Sequence, residues 1–269
     1  MRFYAIAVYL FLYTPIALIV LFSFNAGRHA SDFRGFSVQW YGKAVSNLFM
    51  MDALTTSLIV AVCTAVLATM LGTTAALALQ RVRGPLRVLF DALTYIAIMI
   101  PGIVIGIATL IALVTLFRAV NPTIEALWPE MLGKVPRLSM GYVSVIAAHT
   151  LFTMSLVIVI VRARIQGMDR ALVEASADLY ATPWKTFRQV TLPLIFPGVL
   201  AGFLLSFTFS FDDFIIAFFV AGSNTTLPIY VFSSIRRGVT PEINAIGSGM
   251  LGVSLTLLFI AQWLIRRRG

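Results

Sequence analysis

The sequence predicts an all-α integral membrane protein with six transmembrane helices, read as a single transmembrane domain over 1–269. Three observations carry that prediction. Of the 269 residues, 59% are hydrophobic and 12% charged, against roughly 45–50% and 25% in soluble globular domains. Mean hydropathy is +0.94. Six apolar runs, at about 5–24, 54–79, 88–117, 141–161, 194–221 and 245–265, each exceed the roughly 18 residues that mark a membrane-spanning helix. A soluble enzyme, a disordered tail and a secreted disulfide scaffold are excluded.

The first run follows Arg2 but is longer than the roughly 7–15-residue core of a signal peptide, and no A-x-A site follows it. It reads as an uncleaved span. The second run holds Cys63, the sole cysteine; with His29 and His149 far apart in sequence, neither a disulfide framework nor a metal centre is expected. In the third run Gly102 and Gly106 form a G-x-x-x-G behind Pro101, and the fifth run carries Pro197, Gly198 and Gly202; both patterns suit close helix packing. Asp91 lies one turn from Arg87 and is expected to pair with it. His149, in the fourth run, is expected to hydrogen-bond a neighbouring helix. Glu242 follows Thr240-Pro241, so its charge suits the N-terminus of the sixth helix.

Charge sets orientation. The net charge is +9 and the pI about 10.2, which in a soluble protein would point to nucleic acid. In a multi-span protein the excess belongs to loops on the cytoplasmic side, and no nucleic-acid partner is expected. With both termini inside, the inner segments hold 12 Lys and Arg and the outer ones 8. The densest clusters, RVRGPLR at 81–87 and RRRG at 266–269, then lie against the inner leaflet.

The long inner loop, 162–192, is far more polar than the runs it joins. Arg170, Glu174 and Asp178 recur at i, i+4 and i+8, along one face of a helix, with Leu172, Ala175 and Leu179 on the other. Thr182-Pro183 is an N-cap followed by proline at the first helical position, opening a second short helix with Trp184, Phe187 and Arg188. Pro193 is expected to close the loop and open the fifth span. Two readings of this hairpin stay open on physical grounds: a docking surface for another protein, or an amphipathic element lying on lipid headgroups.

Glu174-Ala175-Ser176 through Leu192-Pro193 resembles the EAA loop of ABC-importer permeases. Glu174, Ala175, Val190, Leu192 and Pro193 match in type and spacing. Ser176 replaces the second alanine. Tyr180 stands where that pattern has glycine, so either the turn differs or backbone strain is tolerated. The span plan, FTFSFDD at 207–213 and TPEINA at 240–245, resemble the second permease subunit of spermidine/putrescine importers. The resemblance implies a type I importer fold, with the hairpin seated on a cytoplasmic ATPase dimer through Glu174, Ala175, Asp178, Trp184, Phe187 and Arg188. It further implies a second homologous permease, an extracytoplasmic substrate-binding protein and a bacterial inner-membrane location. The chain has no G-x-x-x-x-G-K-[ST] and no catalytic constellation. No cofactor is expected in it, and ATP and Mg would belong to the ATPase.

Asp212 and Asp213 are costly residues for a span. They lie about 27–29 Å along a helix from Leu194 at 1.5 Å per residue, toward the outer side. Helical spacing puts Ser206, Ser210 and Asp213 on one stripe and Thr208 with Asp212 on the next. This wedge is expected to line a cavity or face another polypeptide, and the ring faces of Phe207, Phe209, Phe211 and Phe214 suit a cation. A small cationic substrate, a polyamine by resemblance, fits such a lining. Other small amines, amino-acid derivatives or aminophosphonates on the same machinery remain open. So does a cation-coupled secondary transporter using the two acids, although such proteins typically show internal repeats and none is visible. The outer loops at 25–52 and 118–140 are where a binding protein would be received.

Overall fold

A computed structural model describes residues 2–28, 32–129, 133–169, 171–238 and 240–268, with only the backbone at 2, 237, 253, 254 and 257–268. His29 and Arg170 lie outside the described residues. The helices are α1 (Arg2–Ser23), α2 (Gln39–Ser46), α3 (Leu48–Ala78), α4 (Pro85–Met99), α5 (Gly102–Leu127), α6 (Tyr142–Gln166), α7 (Ala171–Asp178), α8 (Pro183–Thr186), α9 (Leu192–Asp212), α10 (Ile215–Val220), α11 (Leu227–Arg237) and α12 (Pro241–Arg268). No strand is formed among the described residues. Five helical stretches there are long and apolar enough to cross a membrane: Phe3–Ser23, Leu48–Ala78, Gly102–Leu127, Tyr142–Gln166 and Pro183–Asp212. The sixth expected run falls in α12.

Two helices depart from the expected runs, each for a backbone reason. The third run is not one helix. Ile100 is extended (φ −65°, ψ 132°), as a residue before proline prefers, so Pro101 divides the run into α4 and α5. The fifth helix does not begin at Pro193. A π-helical turn, Phe187–Thr191, carries α8 straight into α9, with Leu192 N–H donating to Phe187 O. Pro193 has no N–H and its ring crowds the preceding turn; widening that turn lets the helix continue. The fifth run also ends early, because the helix breaks at Asp213.

The chain forms two compact units, one of Met1–Leu54 with Ile229–Gly269 and one of Thr55–Pro228. In the first, α12 packs on α1 and α2. The connection after α1 is knotted by Asn25, whose Oδ1 accepts from the N–H of Gly27 (3.0 Å) and Arg34 (2.9 Å) and whose backbone O accepts from Trp40 Nε1 (2.7 Å). Asn47 Nδ2 donates to Glu242 Oε1 (2.7 Å) and Tyr230 Oη (3.1 Å). Glu242 therefore has a side-chain partner as well as a place at a helix N-terminus.

In the second unit α6 is the central post. Val157, Val161 and Ile165 of α6 join Ala68 and Ala76 of α3 and Ile195 of α9 in one buried cluster. Small residues set the spacing. A Cβ at Gly72 would stand 2.8 Å from Val157 Cβ, one at Gly202 3.2 Å from Val157 Cγ1, and one at Gly198 2.9 Å from Arg164 Cβ. Gly106 of the G-x-x-x-G receives α10, where an added Cβ would meet Phe219 Cδ2 at 2.8 Å. On the basic side, Asp91 lies 3.8 Å from Arg87 and also pairs with Arg162, tying α4 to α6.

Candidate functional site

Two polar constellations interrupt the apolar bundle, one at each end of the Pro183–Asp212 helical stretch. At its start is the hairpin. Asp169 Oδ1 accepts from Ala171 N–H (2.9 Å) and opens α7, which buries none of its residues within the chain. Glu174, Ala175 and Asp178 are exposed, as are Trp184 and Arg188, while Phe187 is half-buried. Trp184 and Phe187 stack with centroids 5.5 Å apart. Thr182 Oγ1 accepts from Lys185 N–H (3.4 Å), the expected N-cap. Ser176, at the position of the pattern's second alanine, meets Thr186 through their hydroxyls at 2.9 Å. That bond staples α7 to α8, and the alanine of the pattern could not make it.

The turn between them keeps its glycine-type geometry without a glycine. Tyr180 has φ 57°; Ala181 N–H donates to Ser176 O (3.1 Å) and Tyr180 N–H to Ala177 O (2.9 Å), the paired bonds of a Schellman motif. Of the two possibilities left by the sequence, strain is the one realised, at about 1–2 kcal/mol for a side chain in the left-handed well. Beside the hairpin a cavity of about 400 Å³ has Glu174, Arg87, Arg162 and Gln80 in its lining.

At the far end of the stretch, the polar stripe of α9 divides in two. Ser206 and Ser210 are buried, on the side of the helix that meets α6. Ser210 Oγ lies 2.8 Å from His149 Nδ1. The other ring nitrogen, Nε2, is 3.2 Å from Asp213 Oδ2 but outside hydrogen-bond geometry; it attracts the carboxylate when the ring is protonated. Asp213 Oδ2 also accepts from Ala217 N–H (3.0 Å) and so secures the first turn of α10. The expectation that this stripe lines a cavity is corrected for Ser206 and Ser210: it is the packing seam of α9 against α6. Thr208 and Asp212 are exposed on the rest of the helix. Among the described residues Asp212 makes no side-chain hydrogen bond or ion pair. The surrounding rings pair with one another, Phe207 with Phe211 at 5.8 Å and Phe209 with Phe152 at 5.9 Å.

The break at Asp213 is what sequence reasoning missed. FDDF contains no proline or glycine, so nothing local announces it; the signal lay in His149, whose partner was not identifiable. Asn47 and its bonds to Tyr230 and Glu242 were also missed, since uncharged amides in loops carry no pattern.

Residues 68–267 match the model of the family described as binding-protein-dependent transport system inner membrane component. The chain belongs to this family. It is therefore a transporter permease subunit and not an enzyme. The putrescine transport system permease protein PotI of Escherichia coli is 38% identical over 261 residues, 96% of this chain and 87% of that protein. The spermidine/putrescine transport system permease protein PotC of Haemophilus influenzae is 35% identical over 261 residues, covering 97% and 94%. Among solved structures, a bacterial ABC transporter involved in import of the acidic polysaccharide alginate superposes with a TM-score of 0.72 at 16% identity, over 98% of this chain and 92% of that one. The MetNI methionine ABC transporter, inward facing, gives 0.52 at 17% identity, over 81% and 96%. The permease shares their type I ABC importer fold, and it is a multi-pass inner membrane protein.

Proposed function

We propose that this permease forms half of the membrane pathway of an ATP-driven importer of polyamines such as putrescine and spermidine. The observation that carries the reading is similarity over nearly the whole chain to permeases named for those substrates. The chemistry of α9 supports it. Asp212 offers an exposed carboxylate at the end of a membrane helix, with Thr208 one turn before it, and a polyamine brings ammonium groups joined by methylenes. Asp213, engaged with His149 and α10, positions Asp212 by holding the break. Ser206 and Ser210 support that frame from the α6 side.

In this reading six spans place both termini in the cytoplasm. The hairpin at 162–192 seats on a cytoplasmic ATPase dimer through Glu174, Ala175, Asp178, Trp184, Phe187 and Arg188, and ATP and Mg bind there. A second homologous permease completes the pathway, and a binding protein delivers substrate from outside. ATP-driven closure of the ATPases moves the hairpin, and through the unbroken Pro183–Asp212 stretch the displacement reaches Asp212, giving alternating access.

Substitution of the two acids tests it. Asp212→Asn keeps shape and hydrogen-bonding capacity but removes charge, so polyamine uptake falls at least tenfold with complex yield unchanged. Asp213→Ala lowers complex yield together with uptake, because it removes the acceptor for Ala217 N–H at the break. The measurement is labelled-putrescine uptake beside complex yield from the same membranes. Normal uptake in the Asp212→Asn variant removes that residue from the pathway.

A further inference from the structure

Tyr180 is the single non-glycine residue with positive φ among the described residues, and it sits at the tip of the hairpin. Its backbone makes both bonds of the Schellman motif, so the turn is formed in full at the cost of strain. Strain of this kind persists where the surroundings compensate for it, and it gathers at functional positions. Among the described residues no side-chain contact compensates. The side chain is 96% exposed, and among the described residues its ring stacks on no other ring and its hydroxyl has no hydrogen-bond partner. Leu179 beside it is 82% exposed and Trp184 68%. The tip is thus an apolar and aromatic knob on a rigid turn.

We propose that Tyr180 is a partner-selecting contact, its ring inserting into the ATPase subunit and restricting which ATPase this permease accepts. The proposal rests on the docking reading given above. A tyrosine supplies a large contact with only two side-chain torsions to immobilise, and such residues dominate interface energetics when enclosed. The flanking charges say what encloses it. Helix α7 carries the exposed acids Glu174 and Asp178 and no base, residues 179–182 carry no charge, and the exposed bases Lys185 and Arg188 follow on the second arm. The acids stand nearest the ring in sequence and the bases beyond it, a mixed-sign surface poorly matched to an anionic headgroup layer, whose attraction runs through Lys and Arg alone. A protein pocket with an apolar floor and a rim carrying both signs of charge complements it.

The test uses the full importer co-expressed with its ATPase, recovered through a tag on the permease. Glycine fits the left-handed turn better than tyrosine does, so Tyr180→Gly removes the ring without harming the fold. Tyr180→Asn also tolerates that well. Both variants are expected to recover at least tenfold less ATPase, with permease yield unchanged, while Tyr180→Phe recovers it within about twofold, the range set by how aromatic anchors behave when truncated. Undiminished recovery with Tyr180→Gly overturns the proposal, as does a loss with Tyr180→Phe equal to that with glycine. Glu174→Lys in the same assay separates the two levels. If it loses ATPase while Tyr180→Gly does not, the ring contact alone fails; if neither loses it, docking through this hairpin fails.

Discussion

His149 is held at Nδ1 by Ser210, with the carboxylate of Asp213 3.2 Å from Nε2 but no hydrogen bond there, and it is only 2% exposed. Burying a polar ring is costly unless it finds partners, so the bond to Ser210 carries weight. His149→Ala and Ser210→Ala each remove one end of the same bond, so their effects overlap. The double variant is expected to cost about 1 kcal/mol less than the sum of the singles, measured by thermal unfolding of the purified complex; strict additivity would show that the two side chains do not act together. This residue shows the limit of what the sequence discloses. That a histidine inside a span bridges helices follows from the cost of burying it, whereas the identity of its partners, 61 positions away in one case, depends on how α6 meets α9. The exposed Asp212 and the half-buried Asp213 are likewise alike in sequence and are distinguished only by where the helix breaks.

At the scale of helices, close packing rests on Val157, which stands between Gly72 of α3 and Gly202 of α9 and is fully buried. Gly72→Ala would bring a Cβ to 2.8 Å from two Val157 atoms and to 3.1 Å from Met154 O. Overpacking of this kind costs about 1–3 kcal/mol, so the variant is expected to unfold at a lower temperature. Adding Val157→Ala makes room for the methyl, and the pair should cost less than the two singles together. A melting temperature unchanged by Gly72→Ala would contradict the close approach. The long helices were legible from apolar length, and the cap at Thr182 with proline at 183 marked a real boundary. What escaped was continuity. Hydropathy joined α4 to α5 across Pro101 because both sides are apolar, and polarity separated α8 from α9 although a π-helical turn links their backbones. Composition reports solvent, and hydrogen bonding decides where a helix stops.

For the molecule as a whole, the hairpin and the acid lie at opposite ends of one helical stretch, Pro183–Asp212. At 1.5 Å per residue that stretch is about 45 Å long, enough to link an ATPase at one face of the membrane to a carboxylate near the other. In the proposed function, ATP consumed at the hairpin end moves a polyamine past the acid end. Reconstituting the complete complex in proteoliposomes tests this most directly, with ATP on the hairpin side, binding protein and labelled putrescine on the other, and a proton ionophore added or withheld. Uptake is expected to need both ATP and binding protein and to be indifferent to the ionophore. Uptake that proceeds without ATP and collapses with the ionophore would overturn this reading and make Asp212 and Asp213 a cation-coupling site instead.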